Sequence, residues 1–510
     1  MKTLAFLTLA CALAARAQPL TAQYDNARTG ATLHETTLTP ANVNAARFGK
    51  IFSYAVDGDV YAQPLYVPGV NIPGKGKHNV VFIATEHDTV YAFDAEGKAA
   101  EPLWRVNFLN PSAKVTTVGA RDVSCPFIAP EIGITPTPAI DLQTGTLYVL
   151  ARTKEGGGSF SMGRFVQKLH ALAVTTGAEK FGGPVEIKAP DFDAQRELPR
   201  AALLLTGGQV YATWGSSCDV GPYHGWVMAY DARTLAQTAA FNTSPDAGES
   251  GVWQSDNGPA ADEDGNVYVA TGNGKFTAAA NGRDYGDSLL KLQLAGHNLH
   301  VLDYFTPFNE KALNNRDADL GSGGPVVLPR QQGAPALVLI GGKDGDLYVL
   351  DRARLGKYEA SGNSQAVQVI HFRDGIYSAP AYWNGHIYVL ARRDYLSDFA
   401  LENGKLAAKP RAMSDRRFAN SGATPAISAN GNRNGIVWLI ESKAWNGPDK
   451  PAVLHAYDAA NVARELYNSE QNSGRDRIGL TLRFTVPTVV NGRVYVNAKR
   501  RVDVFGLLTP

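Results

Sequence analysis

One phrase recurs along this chain. A proline is followed by an apolar residue, then a turn rich in Gly, Asn or Asp, then an apolar-Tyr-Val strand, then a strand ending near Tyr-Asp or Leu. The anchors are Gln63-Pro64-Leu65-Tyr66, Thr137-Pro138-Ala139-Ile140, Asn257-Gly258-Pro259-Ala260, Gly324-Pro325-Val326-Val327, Ser378-Ala379-Pro380-Ala381, Ala423-Thr424-Pro425-Ala426 and Val486-Pro487-Thr488-Val489. One further copy, from Ala201 to Leu205, lacks the proline. Self-similarity of this kind marks an array of one supersecondary unit, and from Pro64 to Pro487 the spacing is about 60 residues per unit. Each anchor leads into strands such as Leu147-Tyr148-Val149, Val210-Tyr211-Ala212, Val267-Tyr268-Val269, Ile387-Tyr388-Val389 and Val494-Tyr495-Val496. Third strands follow, as in Val90-Tyr91-Ala92-Phe93-Asp94, Leu169-His170-Ala171-Leu172, Val227-Met228-Ala229-Tyr230-Asp231 and Leu454-His455-Ala456-Tyr457-Asp458. β-branched and aromatic residues bounded by such turns read as short antiparallel strands.

Eight such units predict an all-β, eight-bladed β-propeller of four-stranded antiparallel blades. Two stacked sandwiches would not explain one phrase repeated through the whole chain. Lys50-Ile51-Phe52-Ser53-Tyr54 reads as an outer strand with no unit before it, and the last unit, Val486 to Leu507, runs out after three strands. Pairing the two would close the ring and remove exposed edges. The expected organisation is a signal peptide over 1–17, an N-terminal lead segment over 18–49 and the propeller over 50–510.

The signal-peptide reading rests on Met1-Lys2, the apolar run from Leu4 to Ala15, and Ala15-Arg16-Ala17 as a small-x-small cleavage site before Gln18. Export to a periplasmic or extracellular space follows, with no membrane span, since no later stretch approaches the roughly 18 apolar residues one requires. Of three cysteines, Cys11 lies in the apolar run, leaving Cys125 and Cys218 in a compartment where thiols oxidise. A single disulfide is expected. A net charge of +1 with no run of Lys or Arg offers no footprint for nucleic acid or anionic membrane. Oligomeric state is not readable from these features.

Two stretches carry a specific resemblance. Tyr268-Val269-Ala270-Thr271-Gly272-Asn273 resembles the Tyr-x-x-Thr-Gly-Asn segment of the pyrroloquinoline quinone (PQQ) dehydrogenases. Lys343-Asp344-Gly345-Asp346-Leu347-Tyr348-Val349-Leu350-Asp351-Arg352 resembles their Lys-Asn-Gly-x-x-Tyr-Val-Leu-Asp-Arg segment. The lead-in Asp25-Asn26-Ala27-Arg28-Thr29-Gly30 is also similar to theirs, so the likeness spans nearly the whole chain after residue 17.

The resemblance implies PQQ on the propeller axis beside Ca²⁺ or another hard cation, which takes oxygen ligands. Asn273 would be the amide ligand. Asp219, in Gly215-Ser216-Ser217-Cys218-Asp219-Val220-Gly221, would be the acidic one, where the family has Glu. Asp317 matches the family's general base, with Asp319 as second candidate, although the Trp preceding that Asp in the family is missing here. Lys343 would bond the quinone oxygens, and Trp253 or Trp214 would stack on the ring. The family's adjacent cysteine pair is absent, and a Cys125–Cys218 bridge on one propeller face is its suggested replacement. No Cys-x-x-Cys-His is present, so no covalent haem is expected and electrons would pass to a separate acceptor. The implied activity is oxidation of an alcohol or sugar hydroxyl.

Each of these residues also has a plainer reading. Gly272-Asn273-Gly274 is ordinary turn chemistry, Lys343-Asp344-Gly345 is a hairpin turn with a solvated Lys, and Asp317 and Asp319 are loop carboxylates. Trp214 and Trp253 would pack between blades, and His224 would be a satisfied structural donor. Taken together these plainer readings describe a non-catalytic scaffold binding a protein or a glycan. No zinc-protease, phosphate-loop or serine-hydrolase motif competes.

Overall fold

The computed structural model describes residues 18–157, 163–442 and 450–509; the expected signal peptide lies outside the described residues. Eight small antiparallel sheets succeed one another as the blades of a propeller. Their first strands are Leu65–Ile72, Ala139–Asp141, Leu204–Thr206, Ala260–Ala261, Val326–Val327, Ala381–Trp383, Ala426–Asn430 and Thr488–Val490. Seven of these open on the residue after an anchor proline; the third opens after Leu203, which stands in the proline's place. The blades are mostly built on four strands, and among the described residues five of the eight sheets carry an addition. The second sheet gains the hairpin Val115–Gly119 and Glu131–Ile132, and the third gains Glu197–Leu198. Phe48–Ala55 pairs with Arg501–Leu507 and supplies the eighth blade's outer strand, so the ring closes as the sequence suggests.

The repeated residues have identifiable jobs. Second strands such as Val267–Ala270 are buried on both faces because neighbouring blades cover them, which is why they read as unbroken apolar runs. Outer strands such as Gln237–Asn242 mix polar and apolar residues and are partly exposed. In three units the phrase's tyrosine is an inter-blade clip, whereas Tyr268 donates to Asp262 of its own blade. Tyr148 donates to the Ala232 carbonyl (2.5 Å), Tyr388 to Ala459 (2.9 Å) and Tyr495 to Ala95 (3.0 Å). Each acceptor follows the aspartate that ends the next blade's third strand, and the last of these bonds joins blade eight to blade one.

The lead segment does not stand apart from the ring. It threads the axial channel and bonds to all eight blades. Tyr66, Ile140, Ala261, Val327, Tyr382 and Ile427, each two residues past its anchor proline, donate their N–H groups to the carbonyls of Pro19, Leu20, Asn26, Ala27, Thr29 and Gly30. Val489 N–H donates to the Tyr24 hydroxyl, and the third blade's Leu203 carbonyl accepts from Thr21 and Arg28. Inner strands at a propeller axis leave one edge unpaired, and this segment satisfies those edges. Arg28 is fully buried and also donates to the Pro259 and Ala22 carbonyls and to the Thr21 hydroxyl.

Candidate functional site

A cavity of about 250 Å³ opens on the axis, on the face where the inner strands begin. The repeat itself builds much of its wall. The residue three places before the anchor is Tyr61 in blade one, Arg200 in blade three, Ser322 in blade five, Tyr377 in blade six and Phe484 in blade eight, and all five line the cavity. These were not singled out from the sequence. Aligning the eight units on their prolines would have found them, because equal register puts equivalent positions on one ring.

Loops inserted between strands supply the remaining wall. The second blade's extra hairpin carries Cys125, Phe127 and Ile128, and the loop after Gln209–Ser216 carries Ser217, Cys218 and Asp219. Cys125 and Cys218 are joined in a disulfide that lines the cavity and ties these two loops together. The family's adjacent-cysteine pair is absent, yet a disulfide stands in the wall.

Lys343, Asp317 and Asp319 meet in the same wall. Lys343 lies in the hairpin between Leu337–Gly341 and Asp346–Asp351, and its backbone N–H donates to the Asp319 carbonyl at 2.9 Å. Its ammonium is paired with Asp319 Oδ2 and stands 3.0 Å from Asp317 Oδ1. The solvated reading of this lysine is therefore corrected: its side chain is only 18 % exposed. The two aspartates differ sharply, since the Asp317 side chain is 62 % exposed and that of Asp319 is 4 %. Asp319 Oδ1 also accepts the Asn273 N–H at 2.7 Å. Burial raises the Asp319 carboxyl above the ordinary carboxylate range, with Lys343 opposing and Asp317 reinforcing. Burial alone would lower Lys343, but the two aspartates outweigh it and hold the ammonium protonated.

Trp253 and Trp214 part company. Trp253 lines the cavity, its ring seated against Gly215, Gly251 and Gly272; a Cβ on Gly272 would lie 2.6 Å from its Nε1 and 2.3 Å from Asp319 Oδ1. Trp214 is fully buried in the core between blades two and three, where its indole N–H donates to Gln167 at 2.7 Å. Packing between blades is its place. His224 is likewise satisfied within the fold, by the Ser244 carbonyl at 2.9 Å.

Three buried polar groups of lining residues have no partner, Trp253 Nε1 and the Ser216 and Ser217 hydroxyls, and neither has Asn273 Oδ1, whose residue bonds the lining Asp319 but does not itself line the cavity. Such groups are costly when unsatisfied, so they suit a polar ligand. Arg200, which donates to Ser255 at 2.8 Å and stacks over Phe484, and Arg483, over Phe127, add positive charge at the wall. A flat, anionic aromatic such as PQQ fits this donor set.

The oxygens expected to hold a hard cation are largely engaged within the chain. Asp219 is exposed, with Oδ1 engaged by the Tyr223 hydroxyl at 2.6 Å, and Asp319 and Asp317 answer Lys343. Asn273 Oδ1 is the one buried oxygen without a partner among these candidate ligands, where Ca²⁺ takes six to eight. Among the described residues, no three His, Cys, Asp or Glu side chains are grouped to hold a metal.

No protein-family model matches the chain, and no curated protein matches its sequence. Solved structures share its fold. The quinohemoprotein alcohol dehydrogenase from Comamonas testosteroni superposes with a TM-score of 0.62 at 17% identity, over 97% of this chain and 81% of that one. A europium-containing methanol dehydrogenase gives 0.61 at 14%, over 96% and 98%. BamB from Moraxella catarrhalis gives 0.51 at 14%, over 90% and 99%. The chain thus has the eight-bladed propeller fold found in quinoprotein dehydrogenases.

Proposed function

We propose that the chain is a quinoprotein-like oxidoreductase that binds PQQ in the axial cavity and oxidises an alcohol or sugar hydroxyl. The observation that carries this reading is the meeting of Trp253, the Cys125–Cys218 disulfide and the Lys343–Asp319 pair in one cavity, ringed by polar atoms that lack partners. A shared fold alone would not suffice, since propellers of this shape serve unrelated purposes.

When bound, PQQ supplies a two-electron acceptor for the hydride leaving the alcohol carbon. The chain's own residues then have distinct tasks. Trp253 would hold the ring by stacking, and Arg200 and Arg483 would meet its carboxylates. Asp319 is the better base than Asp317. It is buried, held in place by the Asn273 N–H, and its proton affinity is raised toward the range in which a carboxylate takes a hydroxyl proton. Asn273 Oδ1 accepts from a ligand N–H or O–H. Phe127, Phe484, Tyr61 and Tyr377 narrow the mouth and exclude water. In this arrangement Asp319 would take the alcohol's hydroxyl proton.

Work in an oxidising compartment after export belongs to the same proposal. It is supported by the disulfide and by the absence, among the described residues, of any helix long and apolar enough to cross a membrane.

The test is titration of the purified protein with PQQ, with Ca²⁺, with a lanthanide and with chelator, following cofactor absorbance and tryptophan quenching. Saturable one-to-one binding that Trp253→Ala weakens is expected. No binding under any condition would overturn the dehydrogenase reading and leave a scaffold whose partner is a protein or a glycan.

A further inference from the structure

We infer that the axial site takes its quinone without a divalent cation, the ammonium of Lys343 supplying the positive charge. This rests on reading the cavity as a quinone site. Lys343 is fixed rather than adaptable. Its backbone N–H is bonded to the Asp319 carbonyl, its ammonium to the Asp319 and Asp317 carboxylates, and its charge lies 5.9 Å from the centre of the Tyr377 ring. The carboxylates a metal would need are therefore committed to a cation the chain already carries.

The remaining oxygens do not make up the difference. Asp219 is reached only from the loop after Gln209–Ser216, through two consecutive left-handed residues, Cys218 (φ 58°) and Asp219 (φ 52°), and its Oδ1 is held by Tyr223. Asn273 offers a single oxygen, and its N–H already anchors Asp319. A divalent ion seated between Asn273 and Asp319 would also face the lysine ammonium across the shared carboxylate, a like-charge contact in a poorly solvated place. A lysine charge needs no such ligand set. Its three donors can serve Asp319, Asp317 and one ligand oxygen at once.

The experiment compares PQQ titrations of the wild type in EDTA, in millimolar Ca²⁺ and in a lanthanide, read by cofactor absorbance and tryptophan quenching. The expected result is the same dissociation constant in all three to within about twofold. Lys343→Met should weaken binding by about tenfold or more in each, and Lys343→Arg should restore most of it. Binding at least about tenfold tighter with Ca²⁺ or a lanthanide than in EDTA would overturn the inference while leaving the quinone site intact. Absence of PQQ binding in all three would overturn the quinone site itself, and this inference with it. The wild-type comparison does not depend on any variant folding.

Discussion

Asp317 and Asp319 stand two positions apart on one loop and meet opposite surroundings. Both pair with Lys343, but Asp317 reaches it from solvent and Asp319 from inside the wall. Breaking a buried pair leaves an uncompensated charge, whereas exposed pairs contribute little. Asp319→Asn is therefore expected to cost about 3–5 kcal/mol of unfolding free energy and Asp317→Asn about 0–1 kcal/mol, read from urea denaturation midpoints. Equal losses would show that the two carboxylates share one environment. Sequence could place both in a polar loop beside a lysine hairpin. Which of them turns inward depends on the left-handed backbone at Asp317 (φ 52°) and on the Asn273 N–H that receives Asp319.

Two elements act over long range. The lead segment satisfies the inner edge of every blade, and Arg28 concentrates four hydrogen bonds there, three of them to carbonyls. Arg28→Ala would leave the Pro259 and Ala22 carbonyls buried without this donor, a loss of about 3–5 kcal/mol in chemical denaturation. A change below about 1 kcal/mol would mean that water replaces the guanidinium fully. The loops bearing Cys125 and Cys218 form the second element. Replacing both cysteines with serine is expected to lower stability by about 2–4 kcal/mol and to weaken PQQ binding, because the bridge holds two loops of the cavity wall together. Stability lost with binding unchanged would give the disulfide a purely structural role.

At the scale of the whole molecule, burial of carboxyl groups makes stability depend on pH. Glu86 is fully buried, with Oε2 bonded to the Gly133 N–H at 2.7 Å and Oε1 without a partner, and burial pushes it up to about 8 from an ordinary 4.5. Asp256 is also pushed up to about 8, chiefly by burial. Between 4.5 and about 8 the folded chain holds a proton on Glu86 that the unfolded chain has released, so the contribution of Glu86 to stability falls as pH rises through that window and is constant outside it. Glu86→Gln should flatten the slope by about 1.4 kcal/mol per pH unit inside the window, measured by denaturation at pH 5, 6, 7 and 8. An unchanged slope would place the titration elsewhere.

The repeat alone determined the fold class, the number of blades and the closing strand. Each unit encodes its own turns and its doubly buried strand within about 60 residues, and local patterning is legible locally. The resemblance to the PQQ dehydrogenases, and not the repeat, brought Asn273, Asp319, Lys343 and Trp253 to notice. Only the closed ring decided that Trp214 packs between blades while Trp253 faces the cavity, that Asp219 stays at the mouth, and that Tyr61, Arg200 and Phe484 share one wall. Those outcomes depend on which residues from distant units arrive at the axis together. Closure brings blades one and eight side by side although they lie at opposite ends of the chain, and no pattern within one unit carries that information.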